Sequence, residues 1–258
     1  MEIEVIPWAF TDKERVTCFL NNHYDLGGKE DHSLVYTTSL LEIFFKKDGK
    51  VTYAYVKGNL VGLFGVTKVP LSNSLEGSCL NFLCVHKSFR GQGITRKLKK
   101  VAELLCKEPI CFTSSFLDSG TQKILYHYPV TPRGAAPYRS VKKSNSEIVA
   151  SLNQFRKRFG TTELVTIPDL DFLQSQDAFY EYVFEDAYFC FLKIPTKSYN
   201  IGFLHWYYSG TLDVSNYIEQ IATNCPFQVL TTIESDFKGW APGTGKLWFH
   251  GIDRFTIV

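Results

Sequence analysis

The sequence predicts a mixed α+β protein built from two tandem halves, and three observations predict it. Helix-start signals and β-rich runs alternate along the chain; the order helix, hairpin, strand, helix, strand occurs twice; and Pro129, Pro132, Gly134 and Pro137 cluster between the two occurrences, where a join belongs. The 258 residues, 45% hydrophobic and 21% charged, are enough to bury a core, as one large domain or two small ones.

The first helix signal is Thr11-Asp12-Lys13-Glu14, a capping box whose Thr and Glu side chains would satisfy orphan amides. With Val16, Phe19 and Leu20 behind it, it predicts a helix over about 11–22. A polar loop with Gly27-Gly28 and acidic Glu30-Asp31 follows. Val51 to Val56 and Leu60 to Val69, broken at Gly58-Asn59, read as an antiparallel hairpin. Residues 78–86 make the next strand, and Arg90-Gly91-Gln92-Gly93 leads into Ile94, Leu98, Val101, Ala102 and Leu105 at helical spacing. A short strand at Ile110 to Ser114 and a helix at Asp118 to Leu125 complete this half. Ser144-Asn145-Ser146-Glu147 is a second capping box. It opens a helix through Ile148, Leu152, Phe155 and Phe159 that Gly160 stops. Strands are expected at 179–184, 187–194 and 201–207, a helix near 213–223, and strands at 227–232, Leu247 to His250 and Phe255 to Val258.

Composition narrows the function. Twenty-eight Lys+Arg against 26 Asp+Glu give a net charge of +2, and the pI is near 8.1, far from the balance of a dedicated nucleic-acid binder. Arg96, Lys97, Lys99 and Lys100 lack interleaved aromatics and read as a solvated helix face, so no nucleic-acid partner is expected. The seven cysteines include no C-x-x-C pair, which suits a reducing cytosol, and none of the six histidines sits at zinc spacing, so no metal is expected. No apolar run approaches the ~18 residues that span a bilayer, and Met1-Glu2-Ile3-Glu4 begins no signal peptide. A soluble, cytoplasmic monomer is the expectation.

Arg90-Gly91-Gln92-Gly93-Ile94 is the segment that carries chemistry. A strand, a glycine turn and a helix start aim several N–H groups and the positive end of the helix dipole at one place, which suits a pyrophosphate. On the glycines alone, an ordinary tight turn fits as well.

This turn, after a strand and before an amphipathic helix, resembles the acyl-CoA pyrophosphate loop of the GNAT superfamily of N-acyltransferases. The strand before it is more specific: Asn81-Phe82-Leu83-Cys84-Val85-His86-Lys87 is similar to the N-F-L-C-V-H-K signature of the N-myristoyltransferases. Weaker likenesses run through Cys18 to Tyr24, through Leu125-Tyr126-His127-Tyr128 with Pro132, and through Gly243-Thr244-Gly245-Lys246-Leu247. The resemblance implies two GNAT-like halves with pseudo-twofold symmetry and a central mixed sheet flanked by helices. Residues 1–134 would bind acyl-CoA, and residues 135–258 would supply the peptide groove and a catalytic C-terminus. The chain is shorter than cellular members and lacks their N-terminal extension and CoA-contacting tyrosine/tryptophan segment. It resembles a minimal version, of the kind a large DNA virus or a divergent microbe encodes.

The implied reaction moves a myristoyl group from myristoyl-CoA, a co-substrate, to the N-terminal glycine amine of a protein; no prosthetic group is implied. Backbone N–H groups of Phe82 and Leu83, freed by a local bulge, would form the oxyanion hole, against the plainer reading of two core hydrophobes. Val85, Arg90, Gly91, Gln92, Gly93, Ile94 and Thr95 would hold the co-substrate. Thr113 would orient the amine, and the Val258 α-carboxylate would take its proton, although Phe255 to Val258 also fits a strand that only completes a sheet. Tyr36, His127, Gly245 and Leu247 would face the peptide, where Thr244 replaces the family's aspartate. Two rivals remain: a GNAT acetyltransferase acting on a small amine, and an inactive acyl-CoA- or peptide-binding module.

Overall fold

The computed structural model describes residues 1–24, 34–45, 48–70, 76–106, 110–112, 121–130, 147, 150, 178–211, 213–232 and 237–250. Eleven strands among them form one sheet. They are β1 (Glu2–Pro7), β2 (Lys50–Val56), β3 (Asn59–Pro70), β4 (Glu76–Val85), β5 (Ile110–Phe112), β6 (Thr121–Pro129), β7 (Phe179–Val183), β8 (Ala187–Pro195), β9 (Asn200–Ser209), β10 (Val229–Thr232) and β11 (Ala241–His250). The described α-helices are α1 (Lys13–His23), α2 (Thr38–Phe45), α3 (Ile94–Leu105) and α4 (Ser215–Asn224).

The order across the sheet is β1-β2-β3-β4-β5-β11-β6-β10-β9-β8-β7. Its centre is an exchange: β11 lies between β5 and β6, and β6 lies between β11 and β10. Outward from that centre the two sides repeat one plan. The β2-β3 hairpin, β4, α3 and a parallel β5 match the β7-β8 hairpin, β9, α4 and a parallel β10. Leu98 and Ala102 of α3 pack on Ala54, Val61, Phe64 and Leu80, while Ile218 and Ile221 of α4 pack on Phe189, Phe191, Leu204 and Leu230. The opposite face of the first side is covered by α1 and α2, in a core that also takes Leu192 and Phe203 from the second. Val35 N–H donates to the Pro195 carbonyl at 2.9 Å and Leu34 bridges Thr196, which stitches the two sides together.

Two local expectations are corrected. Asp12, not Thr11, caps α1: its carboxylate accepts the Arg15 N–H at 3.0 Å, while the Thr11 hydroxyl donates back to the Pro7 carbonyl at 3.2 Å. The expected helix at Asp118 to Leu125 is not formed where described, because Thr121 to Pro129 is β6, held between β10 and β11. Two elements were also unexpected. β1 is an edge strand, and α2 is capped by Thr37, whose hydroxyl accepts the Leu40 N–H at 3.1 Å. The expected join at 134/135 and the strand from Phe255 fall outside the described residues, as does the expected helix of the second capping box apart from Glu147 and Ala150, both helical.

Candidate active site

β4 changes its pairing in mid-course. Its parallel ladder to β5 is described as far as Leu80↔Phe112, and its antiparallel ladder to β3 passes from Asn81↔Gly65 to Cys84↔Leu63. Phe82 and Leu83 thus stand opposite the single residue Phe64, a β-bulge, and neither has a ladder partner on the β3 side. The side chains show the slip. Cys79, Phe82 and Cys84 join the core under α1 and α2, with Asn81 bonded to Cys79 on that face at 3.4 Å; Leu80, Leu83 and Val85 lie under α3. Two consecutive residues therefore share one face.

Phe82 sits in the left-handed region at φ +60. For a residue with a Cβ this costs about 1–2 kcal/mol. Its ring meets Tyr36, Phe44 and Phe45 at centroid distances of 5.5, 5.1 and 5.6 Å. Each such pair contributes about 0.5–1.5 kcal/mol beyond burial, enough together to offset the strain. Asn21 fixes the backbone of Tyr36 by accepting its N–H and donating to its carbonyl, both at 2.8 Å, and burial pushes the Tyr36 phenol well above its ordinary pKa of 10.0, so it stays protonated.

Asn81, which sequence reasoning did not single out, is 1% exposed, and its Nδ2 has no hydrogen-bond partner among the described residues. An orphan amide costs about 1–3 kcal/mol, so its place beside the bulge makes it a candidate site residue. Its sequence signal was an amide in the middle of an apolar strand.

Downstream, β4 ends in the short turn of 3₁₀ helix at Lys87–Phe89 and then the glycine turn. Gly91 and Gly93 have φ of +78 and +75, with open space where a Cβ would stand. Gly93 is the cap of α3; no side chain caps that end, and no acid lies in the first turn. Thr95 and Gln92 are exposed, with the Gln92 amide donating to the Ser88 carbonyl at 3.4 Å, while the Ile94 side chain is buried under β4. Arg90 spends its guanidinium on backbone: Nε donates to the Val85 carbonyl at 3.3 Å and Nη2 to the His23 carbonyl at 2.6 Å.

The corresponding turn before α4 is closed. Asp213 accepts the Ser215 N–H at 3.1 Å and its hydroxyl at 2.6 Å and pairs with Lys238 at 2.5 Å, and these hydrogen bonds hold its carboxyl well below the usual range. An anion would meet a carboxylate there, whereas at Gly93 it meets open N–H groups.

His127 lies on β6, its Nδ1 2.9 Å from the Thr231 hydroxyl, and burial lowers its pKa from 6.5. β11 leaves register between Pro242↔Tyr126 and Lys246↔Ile124, so Gly243, Thr244 and Gly245 arch out of the ladder, with Gly243 against the His127 ring. Leu247 returns to register opposite Lys123. The structure thus groups Tyr36 with Phe82 on one face of β4, sets Leu83 and Val85 on the other under α3, leads from β4 to the turn at Arg90–Thr95, and sets Gly243, not Gly245, against His127 three strands away. Thr113 and Val258 lie outside the described residues. A separate open cleft of about 600 Å³, lined by Tyr128, Pro129 and α4, contains none of these residues.

Hairpin, split parallel strand, bulge, glycine turn and helix define the GNAT class of fold, present here in doubled form. In particular, the chain is similar to N-myristoyltransferase of Saccharomyces cerevisiae. A structure with bound myristoyl-CoA and inhibitors matches at TM-score 0.67 and 18% identity, over 96% of this chain and 79% of that one. A second, with bound myristoyl-CoA, matches at 0.67 and 17%, over 98% and 84%. A GCN5-related N-acetyltransferase from Anabaena variabilis is similar at 0.51 and 11%, over 96% and 72%. No family model and no curated protein sequence matches. The fold read from the sequence resemblance is therefore borne out. No described helix is long and apolar enough to cross a membrane.

Proposed function

We infer that the protein transfers a myristoyl group from myristoyl-CoA to the N-terminal glycine amine of protein substrates. The observation that carries this reading is the Phe82–Leu83 bulge in β4, without a ladder partner on β3, one short turn upstream of an uncapped helix start. Pyrophosphate on the Gly91 to Ile94 amides places the thioester end of the co-substrate along β4, and the bulge N–H groups receive the developing oxyanion. One well-placed donor of this kind lowers a barrier by about 2.7–4 kcal/mol. The aromatic wall of Tyr36, Phe44 and Phe45 suits an apolar acyl group.

Thr113 follows Phe112, which pairs to β4, and in this reading orients the amine, while a carboxylate at Val258 accepts its proton. The amine then attacks the thioester carbonyl, the oxyanion collapses, and CoA leaves as its thiol. From β4 to β6 is three strand spacings, roughly 14 Å, which an extended peptide covers in about four residues. A glycine seated at Phe82 thereby brings later residues to His127 and the Gly243–Gly245 arch. Residues 1–134 hold the acyl-CoA and 135–258 the rest of the peptide groove.

Free CoA release from acetyl-CoA and myristoyl-CoA, with Gly- and Ala-initiated peptides, tests the proposal. Turnover confined to myristoyl-CoA with the glycine peptide is expected. Preference for acetyl-CoA establishes the acetyltransferase instead, and tight myristoyl-CoA binding without turnover establishes a binding module.

A further inference from the structure

Two histidines meet beside the glycine turn, and neither has a part in the reaction above. His23 ends α1 and His86 follows β4; their ring centroids are 4.0 Å apart at 38°. Phe19 closes against His23 at 4.8 Å and Phe89 against His86 at 5.4 Å, so the pair is clamped between aromatic rings. His86 Nδ1 accepts the Ser88 N–H at 3.2 Å, which leaves the proton of its neutral form on Nε2. His23 Nδ1 is buried without a hydrogen-bond partner among the described residues. Arg90, the first residue of the turn, ties the pair to it through its 2.6 Å bond to the His23 carbonyl.

Among the described residues the charge acting on His23 is one-sided. His86 and Lys87 from the segment after β4 and Arg90 from the turn are the groups that act on His23, and no acid among the described residues opposes them. Burial first, and then these three, lower the proton affinity of His23. Two imidazolium ions at this distance repel, so the free protein disfavours a proton on His23. A phosphate placed among Lys87, Arg90 and the rings reverses that balance: its negative charge favours the protonated imidazole, which then donates to it.

We propose that His23 and His86, with Lys87 and Arg90, form a phosphate subsite beside the glycine turn, which takes a proton from solvent as it binds a phosphate of acyl-CoA. The proposal rests on the acyl-CoA reading of the turn. The phosphate is either the pyrophosphate or the ribose 3′-phosphate.

Calorimetric titration of the full chain with CoA at pH 6.5, in two buffers of different ionisation enthalpy, measures the protons taken up on binding. Wild type is expected to take up a substantial fraction of a proton more than the His23→Asn/His86→Asn variant. Its affinity should rise by up to about tenfold per pH unit relative to that variant as pH falls from 7.5 to 6, the limit for one linked proton. The comparison cancels the titration of CoA's own phosphates. With dephospho-CoA, persistence of the difference assigns the pyrophosphate and its loss assigns the 3′-phosphate. Equal uptake by wild type and variant overturns the proposal while leaving the turn assignment standing; failure of wild type to bind CoA removes the turn assignment itself. If the double variant does not fold, the imidazole resonances of wild type decide by NMR. A rise in the pKa of either histidine on adding CoA supports the subsite, and unchanged values overturn it.

Discussion

Gly93 shows how one residue leaves a helix start open to an anion. Its left-handed backbone turns the chain into α3, and the absence of a Cβ leaves the N–H groups uncovered. Asparagine tolerates the same conformation but carries a side chain that occupies the open space. Gly93→Asn should therefore shift the thermal midpoint little and weaken acyl-CoA binding roughly tenfold or more, read by calorimetry. His127 makes a prediction of opposite kind, about stability. Its folded pKa is depressed by burial, so its contribution is fully present above the ordinary 6.5, where both folded and unfolded states are neutral. As pH falls below that value the unfolded chain takes the proton first, and stability declines until pH passes the folded value. Urea midpoints between pH 7.5 and 5 should fall less steeply in His127→Gln than in wild type.

At the scale of elements, the bulged strand depends on the helix above it. α2 sets Phe44 and Phe45 over β3 and β4; Phe45 is fully buried, stacks on Trp8 at 4.3 Å, and lies directly over Gly65, the ladder partner of Asn81. A methyl group at position 65 would drive into the Phe45 ring. Overpacking of this sort costs about 1–3 kcal/mol, so Gly65→Ala should lower the urea midpoint accordingly. Because the displaced ring also touches Phe82, catalysis should fall by more than the stability loss explains, which single-turnover rates on the folded fraction measure. β9 carries a bulge of its own at His205, two residues past its last parallel pair, as Phe82 is in β4. The same defect thus recurs in the corresponding strand of each side.

For the whole molecule the decisive feature is the exchange of β6 and β11. A fragment of residues 1–134 would leave both edges of β6 and one edge of β5 without their partners from 135–258. We expect the intact chain to unfold in a single cooperative transition and the fragment to lack a cooperative fold, checked by calorimetry and amide NMR dispersion. Two separate transitions, or a folded fragment, would show that the halves are independent.

The β2-β3 hairpin, β4, the glycine turn and α3 were legible in the sequence because each is specified locally: β-branched runs, a Lys57-Gly58 reversal with both φ values positive, and apolar spacing along one helix face. The candidate site was legible as far as β4 and its turn, since a bulge and an anion cradle are properties of a short contiguous stretch. α2 was not, because its eight residues hold five buried apolar ones and leave only Thr38, Ser39 and Glu42 to mark an outer face, too short a stretch to show a period. Nor was β6, whose residues take a strand only because β10 and β11 stand on either side to accept its hydrogen bonds. The sequence by itself determined the repeated order of elements and the chemistry of the turn, which depend on neighbours along the chain. Tertiary structure alone decided the strand exchange, the buried amide of Asn81 beside Phe82 and the meeting of His23 with His86, because these join residues far apart in sequence, and only packing chooses such partners.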